Sequence, residues 1–263
     1  MRKISLEKLD GLFAKISSEM TLYLPVDAAN GAKYEKWEDG KKLSDALNTV
    51  RSAKDFFFPQ TENLMDFKVE GKNIDVIDTR NESEDFAIFG VRACDVKSFD
   101  VLDRVFLADP VDTYYENRRK HATIISMACN KPKETCFCQT FGIDASEPQG
   151  DVVCYKTENE LLLDAKTEKG KAFLAKLDGV TENADENAAD EQKKLIKERL
   201  SKLPLASLKA DAFGKDKTKE FFDAPEWKEL SETCLGCGTC TFVCPTCQCY
   251  DIKDFNTGHG VKR

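Results

Sequence analysis

The chain has 263 residues, 41% of them hydrophobic and 33% charged, the balance of a globular protein large enough for one big domain or two modest ones, each with its own core. A formal net charge of −8 argues against nucleic acid as the main partner, because phosphate binding needs a concentrated excess of Lys and Arg. No apolar run approaches the roughly 20 residues that span a bilayer, so no membrane partner is expected.

The N-terminus, MRKISLEKLDGLFAKI, lacks a continuous apolar core and reads as an amphipathic helix with Leu6, Leu9, Leu12, Phe13 and Ile16 at helical spacing, not as a signal peptide. A cytoplasmic location follows as the expectation. Residues 19 to 36 read as short strands broken by Asp27 to Gly31, and 43 to 58 as a second helix stopped by Pro59. Phe67 to Ile77 has the pattern of a hairpin turned at Glu70-Gly71-Lys72. Phe86 to Val91 and Ala122 to Met127 are nearly all apolar, as in strands buried on both faces of a partly parallel sheet. Between them the sequence predicts helices over Asp95 to Ala108 and Asp112 to His121, with Asp95 and Asp112 as N-caps. The basic run Asn117 to Lys120 reads as a solvated helix end, and His121, one of two histidines with His259, as a positive group suited to that end. Val152 to Tyr155 and Leu161 to Leu163 predict another strand pair. TENADENAADEQ, residues 181 to 192, is too polar to bury apolar area and reads as a linker or an exposed helix start. Helical patterns follow at 188 to 202 and 204 to 213, then a short amphipathic piece around Trp227 and Leu230. The expected division is an α/β domain at 1–180 and a helical segment with a cysteine-rich module at 181–263. No Gly-x-Gly-x-x-Gly follows any predicted strand, so a Rossmann dinucleotide site is not expected.

The eleven cysteines are an odd number in a chain expected to sit in a reducing compartment, which points to metal over disulfides. Six of them fall in the sixteen residues CLGCGTCTFVCPTCQC, 234 to 249. Cys234, Cys237, Cys240 and Cys244-Pro245 spell C-x2-C-x2-C-x3-C-P, the bacterial ferredoxin run for a 4Fe-4S cluster. Two-residue gaps let a tightly turning backbone aim three thiolates at one cube, with Gly236 and Gly238 giving the backbone its freedom. The fourth cysteine of such a run normally ligates a different cube. Structural zinc is the alternative, since C-x2-C pairs also build zinc sites. Cys247 and Cys249 extend the run, either as a missing fourth ligand or as thiols beside the cluster or merely buried.

Cys94 and Cys129 each follow one of the two buried strands, and Cys136-Phe137-Cys138 lies in the loop after the second. If those strands are parallel neighbours, the cysteines emerge at the carboxyl edge of the sheet, where open α/β sheets place ligands. The alternatives for this set are a metal site and inert buried thiols. Cys154 reads as core.

Taken together, Phe56-Phe57-Phe58-Pro59-Gln60-Thr61-Glu62, Gly90-Val91-Arg92-Ala93-Cys94-Asp95, Asp112-Thr113-Tyr114-Tyr115 with Arg118-Arg119, Cys129 through Cys138, and Cys234 to Cys249 resemble the family of the 4Fe-4S electron-transfer subunits of anaerobic sulfite reductase. That family includes the beta subunits of sulfhydrogenase-type NiFe hydrogenases. The resemblance covers roughly residues 50 to 252. It implies an α/β domain followed by a helical, ferredoxin-like iron–sulfur module, with one to three 4Fe-4S clusters per chain. Carried over residue by residue, the ligands are Cys234, Cys237, Cys240 and Cys244, and Cys94, Cys129, Cys136 and Cys138 match further motif positions. The implied role is electron transfer between the catalytic subunit of a cytoplasmic anaerobic complex and a flavin- and 2Fe-2S-containing diaphorase-type subunit, which handles NAD(P)H. Family members continue past the counterpart of residues 260 to 263 into a second cysteine run. The chain is then a fragment, or a partner supplies the second half, or the remaining cysteines close one cluster alone; the expectation is a truncated or separately encoded first half. A zinc-stabilised binding module without redox activity is the competing reading, and a substrate-touching role for the N-terminal cysteines a third. Phe242 and Tyr250 are candidates for excluding water from a cluster, or for ordinary packing.

Overall fold

Strands that are apolar on both faces need cover on both sides, and the runs at 86–91 and 122–127 find it inside an eight-stranded sheet. The computed structural model describes residues 1–82, 84–211, 214, 217–256, 258 and 260–262. In chain order the first elements are β1 (Arg2–Ser5), α1 (Leu9–Glu19), β2 (Thr21–Ala28), β3 (Gly31–Lys36), β4 (Met65–Glu70) and β5 (Asn73–Asp78). Next come β6 (Phe86–Val91), α2 (Ala93–Phe106), α3 (Thr113–His121), β7 (Ala122–Met127), β8 (Val152–Lys156), β9 (Glu160–Ala165) and α4 (Glu168–Ala175). The remainder are β10 (Glu182–Asn183), α5 (Asp190–Ser201), α6 (Lys217–Glu220), α7 (Glu226–Ser231), α8 (Thr239–Val243), β11 (Phe255–Asn256) and β12 (Gly260–Lys262).

The large sheet has the order β10-β1-β9-β8-β7-β6-β2-β3, with β2, β6, β7 and β8 parallel and the outer pairs antiparallel. It is the mixed, partly parallel α/β sheet the sequence predicts. Alternation along the strands divides the core into layers: Ala87, Phe89, Ile125 and Met127 pack with Leu12, Phe13 and Ile16 of α1 and Phe173 and Leu174 of α4. Ile88 and Ile124 point the other way, onto Val96, Phe99, Leu102 and Phe106 of α2, and the irregularity between Phe89 and Val91 turns Val91 to that side too. Val153, Tyr155 and Leu162 continue that second layer against Ile196 and Leu200 of α5. Burying these side chains is the main term holding the sheet, each worth about 1.5–3 kcal/mol. A second, four-stranded sheet of order β11-β12-β4-β5 joins the hairpin at 65–78 to the last strands of the chain. The hairpin itself and the β8–β9 pair match expectation.

Several expectations are corrected. Residues 43 to 58 are not a helix, because their backbone finds partners outside the segment. The Ser44 N–H donates to the Pro25 carbonyl (2.8 Å) and that of Val50 to Ala32 (2.8 Å). The Arg92 guanidinium holds the carbonyls of Leu47 (2.7 Å) and Ala46 (3.2 Å). Only Ala53–Phe56 coils, as a short 3-10 turn capped by the Ser52 side chain. Asp95 is not an N-cap: α2 begins at Ala93 after Arg92, which leaves Asp95 inside the first turn, whereas Asp112 caps α3 as expected. The basic run is not a solvated end. Arg118 pairs with Glu62 and donates to the Phe57 carbonyl (3.1 Å), while Arg119 forms a fork onto Asp103 (2.8 Å to each oxygen) and lies over the Phe57 ring. Residues 181 to 192 are not all solvated either, since β10 pairs with β1 and Ala189 is buried, whereas the helix read over 188 to 202 is present as α5. The helix expected over 204 to 213 is replaced by turns from Pro204 to Ser207, closed by Ala206 N–H to Leu203 (3.0 Å); Ala212 and Phe213 lie outside the described residues. His259 also lies outside them.

Phe57 is fully buried, with its ring centroid 4.8 Å from that of Phe99 and the Arg119 guanidinium 4.8 Å above it. Phe57→Ala should cost about 3–5 kcal/mol in urea denaturation. A loss under about 1 kcal/mol would show that the 52–58 turn is not anchored there.

Candidate metal centre

After α7 the chain tightens: the Cys234 N–H donates to the Ser231 carbonyl (2.9 Å), and Gly236 (φ 67°) and Gly238 (φ 72°) take the left-handed conformation that any side chain would strain. A Cβ at either position would meet nothing within 4 Å, so glycine serves the backbone angle here and not space. Gly238 opens α8, which carries Cys240, and Cys244-Pro245-Thr246-Cys247 closes as a turn, the Cys247 N–H donating to the Cys244 carbonyl at 3.4 Å.

The donor set suits a thiolate-ligated cluster. Cys234, Cys237 and Cys240 are exposed and free of disulfides. The Gly236 N–H points at Cys234 Sγ (3.4 Å), the kind of amide contact that stabilises cluster sulfur. Cys237 Sγ shares a hydrogen bond with the Thr239 hydroxyl (3.3 Å), which holds that thiol below its ordinary value. At Cys244 burial pushes the thiol up, but hydrogen bonds with Thr246 and Cys247 outweigh it and leave it at about 7. A thiol already inclined to ionise gives up its proton to a metal at little cost.

The run rests on the α/β unit through the segment 51–58. Lys54, only 5% exposed, donates from Nζ to the carbonyls of Cys244 (2.7 Å) and Cys247 (3.1 Å). The Arg51 guanidinium sits 4.9 Å over the Phe242 ring, and Phe58 meets Tyr250 edge-on at 6.2 Å. Phe242 and Tyr250 are thus packing partners of this segment, and at 43% and 67% exposure they do not wall off water.

The other set is where the parallel strands end. Cys94 lies in the first turn of α2 just past β6, Cys129 two residues past β7, and Cys136 and Cys138 in the following loop, where the Lys133 N–H donates to Cys136 Sγ (3.3 Å). Burial pushes the Cys94 thiol up to about 12, with Asp95, Cys138 and Cys129 adding to the shift. Burial likewise sets Cys129 at about 11, against the pull of Arg92 and with Cys136 and Cys138 adding. Asp95 beside them is pushed up to about 6 by burial, partly offset by Arg92. The four cysteines share one edge, as expected. Among the described residues, however, no three His, Cys, Asp or Glu side chains close to metal-binding distance, in this set or in the C-terminal run. Cys154 is fully buried in β8, a core position as read from the sequence.

Residues 233–263 match the 4Fe-4S dicluster domain family. Over 263 aligned positions, 96% of this chain and 73% of the relative, the sequence is 32% identical to the sulfhydrogenase 2 subunit beta of Pyrococcus furiosus. The chain belongs to the sulfhydrogenase beta-subunit family. Its cofactor is the 4Fe-4S cluster, which decides between the iron–sulfur and zinc readings of the cysteine run. Among the described residues no helix is long and apolar enough to cross a membrane.

Lys54 and Arg51 carry no mark in the sequence of the contacts they make. Their neighbours in the FFFPQTE motif stand out, but a lysine 190 residues from its acceptors leaves no local signal.

In metal-free protein, iodoacetamide should label Cys234, Cys237, Cys240 and Cys249 and spare Cys154, as read by peptide mass spectrometry. Labelling of Cys154 at a similar rate would contradict the burial described.

Proposed function

We propose that the chain is the electron-relay subunit of a cytoplasmic, anaerobic oxidoreductase complex of the NiFe hydrogenase type, with a sulfite reductase as the other terminal reaction open to this family. It would pass electrons between the catalytic subunit and a flavin- and 2Fe-2S-containing diaphorase-type partner. The observation that carries this reading is the cysteine run at 234–249, turned by two left-handed glycines and lying within the dicluster match. The hydrogenase assignment draws on the relative's name. The cytoplasmic one draws on eleven free cysteines, which suit a reducing compartment.

In this reading Cys234, Cys237 and Cys240 hold three irons of one cube in a ferredoxin-like module, and Cys244, by its spacing, reaches a different one. Cys94, Cys129, Cys136 and Cys138 form a further cluster site at the carboxyl edge of the parallel strands, within the α/β domain. A bound cluster supplies one-electron chemistry. The chain's own part is to fix the thiolates, to aim amides such as Gly236 N–H at sulfur, and to set the charge and burial that tune the potential.

Iron and acid-labile sulfide per chain, measured under strict anaerobiosis, test this directly. About four irons support the C-terminal run alone and about eight support the edge site as well. Zinc with no labile sulfide would overturn the proposal. Cys136→Ser should remove about four irons, and unchanged iron would reject the edge site.

A further inference from the structure

A lysine is among the residues least often buried without a charged partner. Lys54 is 5% exposed, and no ion pair among the described residues engages it. Its Nζ instead bridges two backbone carbonyls, those of Cys244 and Cys247, at the two ends of the Cys-Pro-Thr-Cys turn. The backbone of Lys54 is equally committed, its carbonyl accepting from the Phe57 N–H (2.9 Å) and the Phe58 N–H (2.8 Å). The ammonium is therefore held in place from both ends, against the residues by which the sequence run leaves its first cube.

A carbonyl pair takes two of the three donors of an ammonium and leaves its charge unpaired. A thiolate-ligated cluster is anionic and gains one more negative charge on reduction, so it supplies the missing counter-charge, more strongly when reduced. Burial of the ammonium reduces the screening of that attraction by salt.

We propose that Lys54 is a positioning residue for the cluster held by the 234–249 run: it fastens the 244–247 turn to the α/β unit and, as a fixed buried cation, favours the reduced state of that cluster. This rests on the cluster assignment made above and goes beyond it by placing control of the potential in the N-terminal unit.

The test is an EPR-monitored redox titration of anaerobically purified wild-type, Lys54→Met and Lys54→Arg proteins, with iron and labile sulfide counted in each. At the potential where one wild-type cluster is half reduced, Lys54→Met should lower its reduced-to-oxidised ratio about tenfold, a shift of ~59 mV for one electron. Lys54→Arg, which keeps the charge, should stay close to wild type. A Lys54→Met protein that keeps its iron and every wild-type potential overturns the proposal. Should Lys54→Met lose iron, retention by Lys54→Arg supports a charge that holds the turn, and loss in both variants overturns it. Wild-type protein without iron would instead reject the cluster assignment itself, a separate outcome.

Discussion

An ammonium taken out of water must find acceptors, and Lys54 finds them in the carbonyls of Cys244 and Cys247. Hydrogen bonds from a charged donor contribute about 1.5–3 kcal/mol each, and breaking them would leave the cation stranded in a dry site. With Arg51 over Phe242 and Phe58 against Tyr250, this contact joins the cysteine run to the segment 51–58, and it relies on what shapes that segment. Phe57 is clamped between Phe99 and Arg119, Arg119 is forked onto Asp103, and Arg118 ties the Phe57 carbonyl and Glu62 to α3. The aromatic, acidic and arginine motifs scattered through the first half of the sequence thus act as one bracket for its cysteine-rich end.

The same half of the chain prepares a second place for thiolates. Parallel strands deliver their following residues to one edge, so β6 and β7 bring Cys94 and Cys129 to the same side of the sheet, and the loop after β7 adds Cys136 and Cys138. Burial raises the Cys94 and Cys129 thiols there, opposite to the lowered Cys237 and Cys244 in the exposed run. Cys129 is buried and Cys94 half-buried, whereas Cys234, Cys237 and Cys240 are exposed. Arg92 fixes the 46–47 backbone and pulls the Cys129 thiol down against its burial.

What could be read from the sequence was local. The C-x2-C-x2-C-x3-C-P spacing, the apolar runs of β6 and β7 and the Asp112 cap all state their roles within a few residues. What could not be read was set by distant partners. The 43–58 segment reads as a helix stopped by Pro59, yet Pro25, Ala32 and Arg92 take its backbone groups. Asp95 looks like a cap because the strand is expected to end in a loop, whereas α2 starts directly after Arg92. Arg118 and Arg119 look like a solvated pair until Glu62 and Asp103 are brought to them. Lys54 is the extreme case, since nothing near it in sequence distinguishes it from a surface lysine.

If the docked run at 234–249 carries a redox-active 4Fe-4S cluster, low-temperature EPR of the anaerobically purified chain before and after chemical reduction is the most direct measurement of it. The expected result is a fast-relaxing signal of a reduced 4Fe-4S cluster that appears on reduction and vanishes on reoxidation. A colourless protein, silent in both states, would contradict it.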